Sequence, residues 1–285
     1  MPKTAIVTDS NSGISQKQAD ELGIFVVPMP FFINGDTFFE DINLSVPEFY
    51  EKQAAGAQIS TSQPSLEELS GLWDNLLIDY DEIVHIPMSS GLSGSCQSAH
   101  MLSLEYDGKV QVVDNQRISV TQLQSVLDAL YLVNQGKDAC HIKQVLEDDK
   151  LNSTIYIMLD TLSYLKKGGR ITPAAAALGT LLKIKPVLQI QGEKLDAFAK
   201  ARTTTQGKNL MITAIQNDIN NRFHGKATIY IAHTENEAAA YGLRDELLKL
   251  YPDQSIPVYP LSLSVACHIG PGSLAIAATG ALEDN

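Results

Sequence analysis

The sequence predicts an α/β protein of two domains, and three observations carry that expectation. Up to about Lys150 the chain repeats a strand, a polar loop and a helix, the pattern of a mostly parallel sheet with helices on its faces. One of those loops, Ser89-Ser90-Gly91-Leu92-Ser93-Gly94-Ser95, joins an apolar run (Ile83, Val84, Ile86, Met88) to a helix opening at Cys96-Gln97-Ser98. The length, 285 residues, is long for one core. The boundary is expected near residue 151, giving an N-terminal α/β domain over 1–150 and a second α/β domain over 151–285.

The elements follow in order. Thr4–Val7 reads as the first strand, Asp9-Ser10-Asn11-Ser12-Gly13 as its polar exit, and Ser15–Leu22 as a helix. Phe25–Pro30 is apolar, and Asn34-Gly35 between β-formers predicts a hairpin over Phe31–Phe39. Ser45-Val46-Pro47-Glu48 marks a helix over Val46–Ala55. Pro64 is expected at the first position of a helix over Ser65–Leu77, where proline loses no needed hydrogen bond. After the glycine loop come a strand at Val110–Asp114, a helix over Ser119–Gln135 stopped by Gly136, and a helix over His141–Asp148.

The second half opens with a strand at Ser153–Leu159. Lys166-Lys167-Gly168-Gly169-Arg170-Ile171-Thr172-Pro173 reads as a basic glycine loop, leading to an alanine-rich helix over Ala174–Leu182. Lys185–Ile190 and Leu195–Ala199 form a hairpin, and Gln206–Asn221 a helix. Thr228–His233 is a strand, Glu237–Leu250 a helix, and Val258–Leu261 begins the last strand. A small-residue helix is expected over Ser273–Ala278.

Composition bounds the function. An apolar fraction of 44% with 19% charged residues suits a globular protein, and no apolar run reaches the roughly 18–20 residues of a membrane span. The start goes straight into a strand without a signal region, so a cytoplasmic location is expected. No long apolar stripe is evident, so a monomer is expected. A net charge of −12 argues against nucleic acid and anionic membranes. Cys96, Cys140 and Cys267 are widely spaced, with no metal-ligand spacing, so neither disulfides nor a metal are expected. Neither GxxxxGK[ST] nor GxGxxG is present.

What remains is anion chemistry. The glycines of the 89–95 loop let backbone approach a ligand, and the helix behind it presents unpaired N–H groups. Ser60-Thr61-Ser62-Gln63-Pro64-Ser65 again places hydroxyls at a helix start, as a second contact or as capping. His268, before Gly270-Pro271-Gly272 and expected in a loop after a strand, is the most suggestive histidine. His233 ends a strand, and His85 reads as a core residue. Ser93, His268 and an acid such as Asp160 have the chain order of a hydrolase triad, although Ser95 stands where the nucleophile elbow needs glycine.

Six ordered blocks carry a family resemblance. They are Ala5-Ile6-Val7-Thr8-Asp9-Ser10, Thr61-Ser62-Gln63-Pro64-Ser65, Ser90-Gly91-Leu92-Ser93-Gly94-Ser95, Leu162 to Ile171, Leu182 to Leu188, and His268-Ile269-Gly270-Pro271-Gly272. The chain resembles the DegV family of bacterial fatty-acid-binding proteins, related to the acyl-binding subunits of fatty acid kinase. Ser95 and Cys267 stand where threonine is common. The resemblance implies two α/β domains with a long-chain fatty acid such as palmitate in a slot between them. It implies a carboxylate held by Thr61 and Ser93, with the Gly94 backbone and His268 close by. Ser62 is a secondary candidate, and Arg170, with Lys166 and Lys167, is a candidate contact for a partner kinase or its phosphate, since arginine forms bidentate contacts with such groups. It further implies no catalytic residue, no cofactor beyond the bound lipid, and a separate ATP-dependent kinase as partner. A regulatory lipid sensor and a serine hydrolase using Ser93 and His268 are the alternatives.

Overall fold

The computed structural model describes residues 2–168, 170–178 and 184–282. Contacts divide it into two compact units. One holds the chain up to Lys150 together with Ser262–Ser264; the other holds Leu151–Leu261 and Val265–Ala281.

In the first unit the elements are β1 (Thr4–Asp9), α1 (Gln16–Leu22), β2 (Phe25–Val27), β3 (Pro30–Ile33), β4 (Asp36–Phe39), α2 (Val46–Ala54) and β5 (Ile59–Thr61). They continue through α3 (Leu66–Asp79), β6 (Glu82–Ile86), α4 (Ser95–Ser103), β7 (Val110–Val112), α5 (Val120–Asn134) and α6 (Ala139–Asp148). A parallel sheet runs in the order β2-β1-β6-β7. Every residue of β1 is buried, as a central parallel strand covered on both faces requires. Trp73 of α3 packs with Ala5, Val7, Ile83, Cys96 and Val110 on one side of that sheet.

A smaller antiparallel sheet, β4-β3-β5, contains the predicted hairpin. Asn34 and Gly35 turn it with φ of 54° and 99°, a conformation these two residues reach at least cost. Ser15 and Ser65 each close a capping box, with Gln18 and Glu68 respectively. Because Ser65 is itself the cap, α3 starts at Leu66 and Pro64 lies two residues before the helix rather than at its first position.

The second unit contains β8 (Ser153–Met158), α7 (Ser163–Gly168), α8 (Pro173–Leu178), β9 (Lys185–Ile190), β10 (Asp196–Ala201) and α9 (Thr204–Asn221). Then come β11 (Ala227–His233), α10 (Glu237–Leu250), β12 (Val258–Pro260), α11 (Leu263–Ile269) and β13 (Leu274–Gly280). Its sheet order is β10-β9-β8-β13-β11-β12, antiparallel except for β11 with β12. Met211, Ile215 and Ile219 of α9 and Leu243 and Leu247 of α10 pack with sheet residues including Ile229, Ile231 and Ile276.

Three expectations change here. Ser273–Ala278 is not a helix: Leu274–Gly280 forms β13, paired with β8 on one side and β11 on the other. Alanine favours helices locally, but Ala275, Ala277 and Ala278 are almost wholly buried, and small side chains suit a central strand crowded on both faces. The first part of the basic stretch is helical, α7, rather than loop. His268 lies in the last turn of α11, not in a loop after a strand. The expected helix over Ala174–Leu182 is present as Pro173–Leu178. Its remainder, with Leu182, Lys183, Gly169 and the side chains of Lys166 and Lys167, lies outside the described residues.

Candidate anion site

The loop between β6 and α4 turns its own backbone bonds inward. Met88 N–H donates to Asp9 Oδ2 at 2.8 Å, and Ser89 N–H to the Arg117 carbonyl at 2.8 Å. The amides of Leu92 and Ser93 return to the Ser89 carbonyl at 3.0 and 3.2 Å, and that of Gly91 to Ser89 Oγ at 3.2 Å. Ser93 Oγ accepts the Ser95 amide at 3.2 Å, and Gly94 is the N-cap of α4. Among the described residues, nothing accepts from the amides of Gly94, Cys96 and Gln97. Three unpaired donors at the positive end of a helix make a place for an anion.

The second hydroxyl segment belongs to the same unit. Thr61 ends β5 opposite Phe31, and Ser62 N–H donates to the Pro30 carbonyl at 3.1 Å. Gln63 exchanges hydrogen bonds with Ser98 at 3.0 and 3.2 Å, which ties this segment to the first turn of α4. A Cβ on Gly94 would lie 3.2 Å from Gln63 Oε1, so the glycine permits this close approach.

Asp9 organises the site from behind, a role that reading the residues missed. Its carboxylate, 2% exposed, accepts from Asn11 N–H and Nδ2, Met88 N–H and Gln122 Nε2 at 2.8–3.2 Å. Burial pushes its pKa up, against the pull of those donors. Asn11 Oδ1 accepts the Ser264 hydroxyl, and both Glu40 carboxylate oxygens receive the Leu263 amide at 2.9 and 3.0 Å. Burial, with the Asp41 charge adding, raises Glu40 to about 8. Arg117 is equally hidden. Its guanidinium is 1% exposed and bonds Asp149 Oδ2 at 2.6 Å while its carbonyl holds the glycine loop. For Asp9 the only sequence sign of this role is its place as a polar residue at the end of a buried strand.

On the second unit, burial and then the Arg170 charge lower His268 to about 4, so its ring is neutral at pH 7. The turn that follows is tightly built. Gly270 (φ 76°) lies under the Tyr164 ring and Gly272 (φ 84°) against Asp160. Thr234 Oγ1 donates to the Gly270 carbonyl at 2.7 Å, and Asn236 Nδ2 to the Gly272 carbonyl at 3.0 Å. Asp160 pairs with Lys185 at 2.6 Å. His233 Nδ1 accepts the Asn236 amide at 3.3 Å, a structural bond. His85 is a core residue, 3% exposed and edge-on to Trp73, and burial lowers it to about 3.

Among the described residues, no group of three or more His, Cys, Asp or Glu is placed to hold a metal, and no helix is long and apolar enough to cross a membrane.

Comparison with known proteins places these observations. A family model described as "Uncharacterised protein, DegV family" matches residues 3–280. A DegV domain-containing protein of Deinococcus radiodurans is 31% identical, over 96% of this chain and 97% of its own length. A solved structure of a fatty-acid-binding DegV family protein from Thermus thermophilus superposes with a TM-score of 0.90 at 30% identity, covering 98% of this chain and 100% of that one. That of DegV, a fatty acid binding protein from Bacillus subtilis, gives 0.88 at 28%, covering 99% and 100%.

Proposed function

We propose, because this chain belongs to the DegV family, that it binds a long-chain fatty acid by its carboxylate. The observation that carries the reading is the start of α4, where the Gly94, Cys96 and Gln97 amides are unpaired beside the Ser93 hydroxyl. The proposed carboxylate ligands are Thr61, Ser93, the Gly94 amide and His268, with Ser62 and Arg170 secondary. In the ligand-free protein the neutral His268 ring has a single N–H to offer.

Magnitudes divide the work between head and tail. About 15 buried methylenes at ~0.8 kcal/mol each offer roughly 12 kcal/mol, against association costs of about 4–15 kcal/mol. Each hydrogen bond to the charged head adds about 1.5–3 kcal/mol. The tail supplies affinity; the donors select an acid, because a buried carboxylate without them is costly.

The protein in this reading is a carrier without a catalytic residue or cofactor of its own. It presents the carboxylate to a separate ATP-dependent kinase that forms the acyl phosphate. Family resemblance supports that partner. Arg170 is the proposed contact for kinase or phosphate, since guanidinium groups match phosphate geometry. The charge reversal Arg170→Glu is expected to spare lipid binding and impair acyl-phosphate formation; equal loss of both would sink this role.

Mass spectrometry of lipid extracted from natively purified protein tests the binding itself. A stoichiometric long-chain acid, depleted in Ser93→Ala and Thr61→Ala, is the expected result. A protein that is empty and takes up no added fatty acid would remove the reading. Labelling of Ser93 by a fluorophosphonate would then favour a hydrolase.

A further inference from the structure

We propose that one water molecule resides behind the glycine loop, bridging His85 of β6 and Ser95 at the start of α4. A cavity of about 20 Å³ lies there, lined by Asp9, His85, Ser95 and Ser98 and by apolar side chains including Leu66 and Leu69. One water needs roughly 10–15 Å³, so the space is large enough to hold one. His85 and Ser95 are 3% and 8% exposed, and His85 Nδ1 and Ser95 Oγ have no partner among the described residues.

The chemistry of these two groups calls for a donor-acceptor guest. His85 is held neutral by burial, so its ring carries one N–H and one lone pair. Ser95 adds a hydroxyl that rotates to donate or accept. Buried polar atoms go unpaired rarely, and a water offers both roles to both of them. Asp9, also on the cavity wall, supplies a further acceptor. An aspartate, a histidine and a serine meet here, but neither His85 nor Ser95 is hydrogen-bonded to another of the three. The cluster is therefore a hydration site and not a hydrolytic triad.

The consequence is mechanical. Ser95 N–H is held in front by Ser93 Oγ, and the water holds the Ser95 side chain behind. It ties the first turn of α4, with its free amides, to the sheet strand beneath. This inference does not depend on what the amides bind.

A crystal structure of the full chain, with and without added fatty acid, tests the site directly. Expected in both is one compact density at about 2.7–3.2 Å from His85 and Ser95. An empty cavity would overturn the proposal, and so would acyl carbons within it. A double-mutant cycle tests the bridge in solution, with His85→Phe keeping the ring against Trp73 and Ser95→Ala removing the hydroxyl. Loss of either partner strands the other, so the double variant should melt higher than the summed single shifts predict. Strictly additive shifts would refute the bridge, whatever the outcome of lipid extraction.

Discussion

Replacing Ser93 with alanine removes one oxygen that has two tasks. In the structure Ser93 Oγ accepts the Ser95 amide at 3.2 Å; in the proposed complex it also donates to the fatty-acid carboxylate. A hydrogen bond to a charged group contributes about 1.5–3 kcal/mol. At 1.4 kcal/mol per tenfold, its loss weakens binding roughly 10- to 150-fold. Loss of the bond to the Ser95 amide predicts a separate loss of about 0.5–1.5 kcal/mol in stability without ligand, the net contribution of one hydrogen bond. The assay is competitive displacement of a fluorescent fatty acid, run beside urea unfolding of the delipidated protein. Affinity within twofold of the parent would refute the role of Ser93 at the head. A loss of affinity matched by global unfolding at the assay temperature would show that the hydroxyl serves only the helix.

Four further outcomes follow from the same geometry. Gly270→Ala forces a left-handed residue and sets a Cβ 2.5 Å from the Tyr164 ring; strain of about 1–2 kcal/mol plus overpacking of about 1–3 predicts a lower urea midpoint, and an unchanged midpoint would contradict the packing. His85 and His268 titrate at about 3 and 4 in the fold against about 6.5 unfolded. The unfolded chain therefore binds more protons below pH 6.5, so their contribution is complete above that pH and is lost as pH falls toward 3–4. Urea titrations at pH 7, 5.5 and 4.5 should show the decline, and His85→Phe should make it shallower. Glu40 works the other way. With its pKa raised to about 8, its contribution is complete below about 4.5 and is lost as pH rises through 8, so Glu40→Gln should gain stability over the parent between pH 5 and 9; a pH-independent difference would refute this. Asp9→Asn places an amide against one of four donors and should shift the Met88 and Gly94 amide resonances, whereas unmoved resonances would deny Asp9 its hold on the loop.

The parts of this protein legible in its sequence are those made by near neighbours. Ser15 with Gln18 and Ser65 with Glu68 lie three residues apart, and Asn34-Gly35 is a turn complete in itself. The Ser89–Ser95 loop announced itself because glycines and hydroxyls before a helix are a local chemical arrangement. Family resemblance singled out Thr61, Ser93, Gly94 and His268; spacing alone balanced ligand and structural readings for the glycine loop and His268, and favoured capping for Thr61.

Other features had no local signature. Residues 273–278 look helical because alanine favours helices, and become a strand only because β8 and β11 flank them. Asp9 meets Met88 across 79 positions, and Asn11 meets Ser264 across 253. By itself the sequence determined caps, turns and the alternation of strand and helix, since these depend on bonds spanning a few residues. Tertiary structure alone decided the sheet order, the buried role of Asp9 and the surroundings of His268, because desolvation and long-range donors exist only once distant segments have packed.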